Sequence, residues 1–390
     1  MTFMIDKKVV LLITDIPNPY RLPLFNELNR QLAQLGYEFR VLFGAERQEA
    51  RLWRVDMAEC RFAYRILPTL RIRYKDPEKS TFTYSRLCRT IREVRPVVVI
   101  TNGFSIATTK LWFRSWISSL PYIIWSGAVE CKNAPESLLR TLQRRLVVQR
   151  ASGFIAYGTK AREYLMGLGA DPRRIAIGIN TVDTTFFAQQ TAALRERQAS
   201  RDGLSHLLYV GYLTLRKNVL EVLKAIRLLA RSRSDFVLDI VGDGNDMGRL
   251  KQYVQENDLV ERVRFHGFRQ KQELPAFFAN SACFLFQTDF DIWGLVLVEA
   301  MAAGLPTIAS TNAGATNDLI IDGTTGFALD FSDHRRIAER INWMLDHGQE
   351  AERIGKNARN YVATRADIVT SAGGFMRAIE QVVGGSRSDA

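Results

Sequence analysis

Residues 289 to 306, DFDIWGLVLVEAMAAGLP, set Asp291 and Glu299 eight positions apart in a run that is otherwise almost wholly apolar. A carboxylate in such surroundings is costly unless something pairs with it. Gly304 stands where a helix could end in the left-handed conformation, and Pro306 could not continue it. The helix is therefore expected to start near Gly294. The backbone amides of Gly294, Leu295 and Val296 would point out of that start, with Glu299 one turn in. A carboxylate accepts two hydrogen bonds at once from a vicinal diol, the group that ribose and sugars carry. Spacing alone supports a second reading equally well, in which Asp291 is a loop residue and Glu299 pairs with a buried arginine.

The stretch YLTLRKNVLEVLKAIRLLA, 212 to 230, holds the next candidates. Asn218 followed by Glu221 resembles a capping box, and Leu220, Leu223, Ile226 and Leu229 recur at helical spacing. Arg216 and Lys217 would stand just before this helix. Free backbone donors and the helix dipole favour an anion there, and two adjacent cations suit a diphosphate. The plain alternative is a pair of solvated surface charges. The turn VGDG, 241 to 244, is a weak nucleotide signal, better explained by turn geometry at Gly242 and Gly244. His206, His266, His334 and His347 all lie in the second half, spaced unlike metal ligands, so no metal is expected. Cys60, Cys88, Cys131 and Cys283 are scattered and read as reduced core thiols. Neither a G-x-S-x-G elbow nor a P-loop is present.

These residues need a scaffold, and 390 residues exceed what one hydrophobic core serves well. Apolar runs at 9–14, 39–43, 97–101, 122–125 and 153–157 read as buried strands. Helical stretches at 20–35, 80–94 and 135–150 lie between several of them, the rhythm of a parallel sheet covered on both faces. A second series, HLLYVG, FVLDIVGDG, RVRFHG, CFLFQT and PTIAS, follows the polar break QQTAALRERQASRDG at 189–203. The expected division is a first domain at 1–200, a second at 201–365 and a helical tail at 366–390 that packs back on the first. Two doubly wound α/β domains would face a cleft, with ligands beyond the carboxyl ends of the strands.

The formal charge is +12 and unevenly placed. Residues 1 to 200 carry 31 Lys and Arg against 17 Asp and Glu, and the remainder 22 against 24. Basic residues alternate with aromatic and aliphatic ones in RLWRV (51–55), RFAYRIL (61–67), LRIRYK (70–75) and KLWFRSWI (110–117). Such surfaces suit an anionic membrane; a solvated basic face is the plain alternative. Without a recognised nucleic-acid motif, nucleic acid is not an expected partner. No apolar stretch reaches membrane-spanning length, and MTFMIDKKVVLLITDIP reads as a first strand rather than a leader. A cytoplasmic protein, peripheral at the inner face of the membrane, is expected.

In order and spacing, YVGYLTLRKN, DIVGDG, VRFHGF, KQELPAFFANSA, FDIWGLVLVEAMAAGLPTIAS, NAGATNDLI and DGTTGF resemble the donor-binding domain of the retaining glycosyltransferases of family 4, which have the GT-B fold. The likeness is strong over 206–365 and reaches back to IGINTVDTTFF (177–187), similar to that family's interdomain segment; before it, it rests on element order and IPNPYRLPLF (16–25). By resemblance, the family's two acids fall on Asp291 and Glu299. Glu299 would hold the ribose of a nucleotide sugar and Asp291 the hydroxyls of the transferred sugar. Gly294, Leu295, Val296, Arg216 and Lys217 would hold the diphosphate, close to Gly211.

The chain departs from the family pattern in three places. The first acid is Asp rather than Glu. Tyr212 follows Gly211 where an arginine is usual. Asn18-Pro19-Tyr20-Arg21 replaces an N-terminal glycine pair, and no histidine occurs in the first 200 residues. Arg21 would then replace the lost cation, and Trp125 and Glu130 stand where the missing histidine is expected. The resemblance implies a metal-independent, retaining hexosyltransferase that needs no cofactor, a nucleotide-sugar donor, and a glycan or lipid-linked acceptor. The rivals are a non-catalytic sugar-nucleotide-binding protein and a GT-B-like epimerase.

Overall fold

The computed structural model describes residues 8–47, 51–73, 80–130, 137–197 and 203–385. In chain order the first elements are β1 (Lys8–Thr14), α1 (Leu22–Gln34), β2 (Tyr37–Phe43), β3 (Ala63–Ile66), β4 (Arg71–Arg73), β5 (Ser80–Phe82), α2 (Leu87–Val94), β6 (Val98–Asn102), α3 (Ile106–Arg114), β7 (Tyr122–Ser126), α4 (Leu138–Arg150), β8 (Gly153–Ala156), α5 (Thr159–Gly167) and β9 (Ile175–Ile177). The remainder are α6 (Thr184–Arg197), β10 (Ser205–Val210), α7 (Leu220–Leu229), β11 (Phe236–Val241), α8 (Met247–Glu256), β12 (Val263–Gly267), α9 (Leu274–Asn280), β13 (Cys283–Phe286), α10 (Leu295–Ala302), β14 (Thr307–Ser310), α11 (Gly314–Leu319), β15 (Phe327–Leu329), α12 (His334–Asp346), α13 (Gly348–Arg365) and α14 (Ile368–Gly385). They form two units: residues up to Asn180 with those from Ile368 on, and Thr181–Asp367.

The first unit is built on a parallel seven-stranded sheet of order β3-β2-β1-β6-β7-β8-β9. Its central strands are apolar on both faces, as a doubly covered sheet requires: β1 is buried from Val9 to Thr14 and β7 throughout. The expected helix over 80–94 begins only at Leu87, because Ser80–Phe82 pairs antiparallel with Arg71–Arg73. Between them Tyr84 takes a left-handed φ of 49°, which a helix cannot include. Helix α14 belongs here, not to the unit that precedes it in sequence. It lies on α1, β8 and β9, with Ser371 donating to Ile179 O at 2.7 Å. Gly374 permits the approach, since a Cβ there would lie 2.1 Å from Ile177 O.

The second unit has a parallel six-stranded sheet of order β12-β11-β10-β13-β14-β15. Its chain begins at Thr181, some way before the boundary expected from composition, which itself falls on residues 198–202, outside the described ones. The polar break proves to be half helix. Residues 189–197 are the end of α6, whose Phe187 is fully buried against Phe278 with ring centroids 5.9 Å apart. Arg195 on its other end donates to Ala303 O at 3.0 Å, so a segment polar in composition is anchored by one aromatic and one guanidinium. Where the chain leaves β10 and β11, the two turns touch. Gly242 has φ of 151°, and a Cβ on it would stand 1.8 Å from Gly211 O; one on Gly244 would stand 2.2 Å from Leu213 O. These glycines therefore serve close backbone approach. Gly242→Ala should destabilise the protein by about 1–3 kcal/mol, as overpacking does, and a scanning fluorimetry midpoint lowered by several degrees would show it.

Candidate active site

In the second sheet the crossovers leave β10 toward β11 on one side, while β13 lies on the other. The point where strand order reverses is where a doubly wound sheet opens a crevice beyond its carboxyl ends. Both sequence candidates follow these two strands, Arg216 and Lys217 after β10 and Asp291 to Glu299 after β13. They are 74 residues apart in the chain and adjacent in space.

The two loops are laced together. Arg216 donates from Nη1 to Phe290 O at 2.8 Å, and the amide of Asp289 donates to Arg216 O at 3.0 Å. Asn218 Nδ2 donates to Asp289 Oδ2 at 2.9 Å, and Lys217 Nζ is ion-paired with Asp291 Oδ2. A third segment braces the Asp291 loop: Asp291 N donates to Asn312 O (3.2 Å), Gly314 N to Asp291 O (3.1 Å) and Ala315 N to Trp293 O (3.0 Å). A Cβ on Gly314 would stand 2.2 Å from Ile292 O, so glycine is required for that contact.

Four expectations for these loops are corrected or sharpened. The capping box does not form. Asn218 has a left-handed φ of 43° and turns its amide to Asp289, while Glu221 accepts from Lys224 at 2.9 Å and from His334 at 2.5 Å. Lys217 is 8% exposed and ion-paired, which rules out a solvated surface charge, whereas Arg216 is exposed. Gly294 does precede α10, with φ of 107°, and a Cβ on it would meet the Phe286 ring at 2.3 Å. Gly211 is the backbone neighbour of Gly242 and makes no side-chain contribution.

Asp291 and Glu299 differ sharply in charge state. Burial alone would raise the Asp291 carboxyl, but the Lys217 ammonium and the Trp293 amide hold it below the usual range. Glu299 is 2% exposed on the first turns of α10 and accepts no hydrogen bond from a described residue. Burial pushes it up to about 8, with only the more distant Lys271 opposing. Among the described residues no arginine pairs with Glu299. Thr214 Oγ1, Gln287 Oε1 and Trp293 Nε1, on the same two loops, are likewise buried without a hydrogen-bond partner. Buried polar groups are ordinarily satisfied, so these three atoms and the Glu299 carboxyl stand out as exceptions on the two loops. Sequence reasoning missed these three; only their position just past β10 and β13 could have suggested them.

The histidines are structural. Asp239 on β11 joins His206 and His266 at 2.6 Å each, and His347 stacks on Trp343. Among the described residues no group of three or more His, Cys, Asp or Glu is gathered as metal ligands would be. Cys60, Cys88 and Cys283 are free thiols, and Cys131 lies outside the described residues.

In the first unit, Trp125 lies within β7 rather than beyond its end and is 1% exposed. It packs on Phe25, Tyr157 and Phe375, which makes it a core residue. Arg21, the residue before α1, stacks on it with the guanidinium carbon 4.0 Å from the ring centre and donates to the Tyr157 hydroxyl. Its Nη1 is buried and has no partner. Gly127 lets Tyr157 lie there, since a Cβ would enter its ring at 2.3 Å. Asp15, just after β1, accepts from the Tyr84 hydroxyl at 2.6 Å, and burial raises its carboxyl. Glu130 is exposed in the loop after β7.

Residues 190–361 match the sequence family of group 1 glycosyl transferases, and residues 24–180 match a glycosyl transferase 4-like domain. The chain belongs to the glycosyltransferases of the family 4 type. Glycogen synthase of Mycobacterium tuberculosis is 30% identical over 172 residues, 44% of this chain and 41% of the relative. D-inositol 3-phosphate glycosyltransferase of Paenarthrobacter aurescens is 26% identical over 242 residues, 60% and 58%. The chain thus spans about half the length of these curated relatives. The crystal structure of Anabaena Alr3699/HepE in complex with UDP superposes with a TM-score of 0.76 at 17% identity, covering 96% of this chain and 99% of that one. At that identity the likeness speaks for the fold, GT-B with two Rossmann-like domains.

Two outcomes follow for this family 4 site. Lys217→Ala leaves the Asp291 carboxylate buried without its cation and should cost about 3–5 kcal/mol in chemical denaturation. Glu299 takes up a proton on folding: the folded carboxyl keeps it to about pH 8, the unfolded one to about its ordinary 4.5. Its contribution to stability is therefore complete below pH 4.5 and is lost as pH rises toward 8, by at most about 1.4 kcal/mol per unit. Glu299→Gln, which does not titrate, should melt increasingly above the wild type across that window, and a difference independent of pH would refute the shift.

Proposed function

We propose that this protein is a retaining, metal-independent glycosyltransferase. It transfers a hexosyl-type sugar from a nucleoside-diphosphate sugar to a hydroxyl of a lipid-linked or cell-surface glycan, working at the cytoplasmic face of an anionic membrane. The observation that carries the donor part is Glu299, a buried carboxyl without a partner at the start of α10. A ribose diol would supply the hydrogen bonds it lacks. The diphosphate would lie on the first amides of α10, between Arg216 and Lys217. An ammonium has three donors, so Lys217 can keep Asp291 and still meet a phosphate oxygen. Asp291, held ionised, would then accept from sugar hydroxyls.

In this mechanism the diphosphate departs and the acceptor hydroxyl attacks from the same face, passing its proton to a leaving phosphate oxygen. The work left to the protein is electrostatic: cations placed where charge develops. Burial at the site strengthens that effect, because water screens it less.

Titration calorimetry with UDP, GDP and ADP tests the donor part. UDP comes first, since the similar Anabaena structure holds it. Glu299→Gln should weaken nucleotide binding at least tenfold; an unchanged dissociation constant with intact circular dichroism would make the residue structural. Arg216→Ala should lower turnover of a labelled nucleotide sugar, assayed with EDTA present, by about 3 kcal/mol in activation free energy. Binding without any turnover would leave a sugar-nucleotide-binding protein.

A further inference from the structure

The first unit carries an apolar surface that its own core does not use. Helix α4 buries Arg144, Val147 and Val148. At about 100° per residue these occupy one side of the helix, while Leu138, Leu139, Leu142 and Leu146 fall within a sector of about 100° on the other. All four are exposed, Leu138 at 89% and Leu139 at 80%. An amphipathic helix of a globular protein ordinarily turns its leucines inward; α4 turns all four of its leucines outward and packs two valines and an arginine against the core.

Helix α3 runs alongside. Gln143 donates to Thr109 Oγ1 at 3.0 Å, and Arg150 reaches Ser115 at 2.9 Å and 2.7 Å. Beyond and within its last turn, Phe113, Trp116 and Ile117 are exposed, Ile117 at 86%. Arg150 also lies over the Trp116 ring, 4.1 Å from its centre, which fixes the indole at the surface. Exposed apolar side chains gathered on two neighbouring helices mark an interaction face.

Charge decides what that face meets. Between Glu93 and Glu130, and again from Ser137 to Arg162, the sequence has no Asp or Glu. The cations there include the exposed Arg140, Arg145 and Arg150. Exposed leucine, isoleucine and aromatic side chains interspersed with arginine, on two helices whose own sequence has no carboxylate, match an anionic bilayer interface: the apolar groups enter the headgroup boundary and the guanidiniums meet lipid phosphate. No helix among the described residues is long and apolar enough to cross a membrane, so attachment by a face is the available mode for them.

We propose that the outer faces of α3 and α4 are the surface by which this protein lies on anionic lipid. The inference rests on the membrane part of the proposed function and gives it an address; it does not depend on the nucleotide site. The protein is co-sedimented with vesicles of phosphatidylcholine and phosphatidylglycerol in equal parts, and with phosphatidylcholine alone, at low and high salt. The wild type should bind the anionic vesicles at low salt and be released by salt. The triple variant Leu138→Ser, Leu139→Ser, Leu142→Ser should bind at least tenfold more weakly with unchanged circular dichroism. Val260→Ser, an equally exposed apolar site on the second unit, should bind as the wild type does. Brominated lipid should quench fluorescence in the wild type and less so in Trp116→Phe. A wild type that remains in the supernatant overturns both this inference and the membrane part of the function. A wild type that binds together with a triple variant that binds equally overturns this inference alone. A triple variant that only loses self-association by light scattering assigns the face to a second copy of the chain and overturns it too.

Discussion

The site depends on one buried ion pair, Lys217 with Asp291. Taking both charges out of water is costly, and the geometry repays it only because each loop holds its residue in place by other bonds. The Arg216 carbonyl and guanidinium bind one loop to the other, Asn218 adds a third link, and the 312–315 segment braces Asp291 from behind. Breaking the pair itself would leave a charge largely out of water, and the other links keep its two partners in register. The arrangement is therefore cooperative, and the two strand ends act as one element despite their distance in the chain.

Against that pair, Glu299 is a controlled contrast. It lies eight residues from Asp291, carries the same functional group and is the more deeply buried of the two, at 2% exposed against 16% for the Asp291 side chain. With only Lys271 opposing, burial dominates its state, and the carboxyl holds its proton where Asp291 has lost one. Such a group makes folding less favourable as pH rises.

The first unit solves a related problem differently. Arg21 is kept partly out of water by stacking on Trp125 and Tyr157 rather than by a carboxylate, since a guanidinium is weakly hydrated and its flat face suits an aromatic ring. This places one unmatched N–H beneath the surface at the carboxyl ends of the central strands. The aromatic cluster that supports it reaches Phe375 on α14, so a helix far along the chain stabilises residues near its beginning.

Much of this was legible in order of residues alone. Period and length specified two parallel sheets, because strands buried on both faces must be apolar throughout. The acids at Asp291 and Glu299 and the cations at Arg216 and Lys217 stood out because charge beside apolar runs is costly and therefore informative. Where α10 ends could also be read at Gly304, whose φ of 71° only glycine adopts freely. What sequence could not say was which charges meet. Lys217 pairs with Asp291 and Glu299 with nothing, a distinction made by a strand order that sets β10 beside β13. Trp125 became core, and Asn218 a cross-link instead of a cap, for the same reason: neighbours distant in sequence outweigh local propensity. The division of the chain was decided likewise, since α6 is polar by composition and is held by the buried ring of Phe187 and by Arg195 bonded to Ala303 O. Local pattern determines which elements form; only their packing determines which polar groups are left needing a partner.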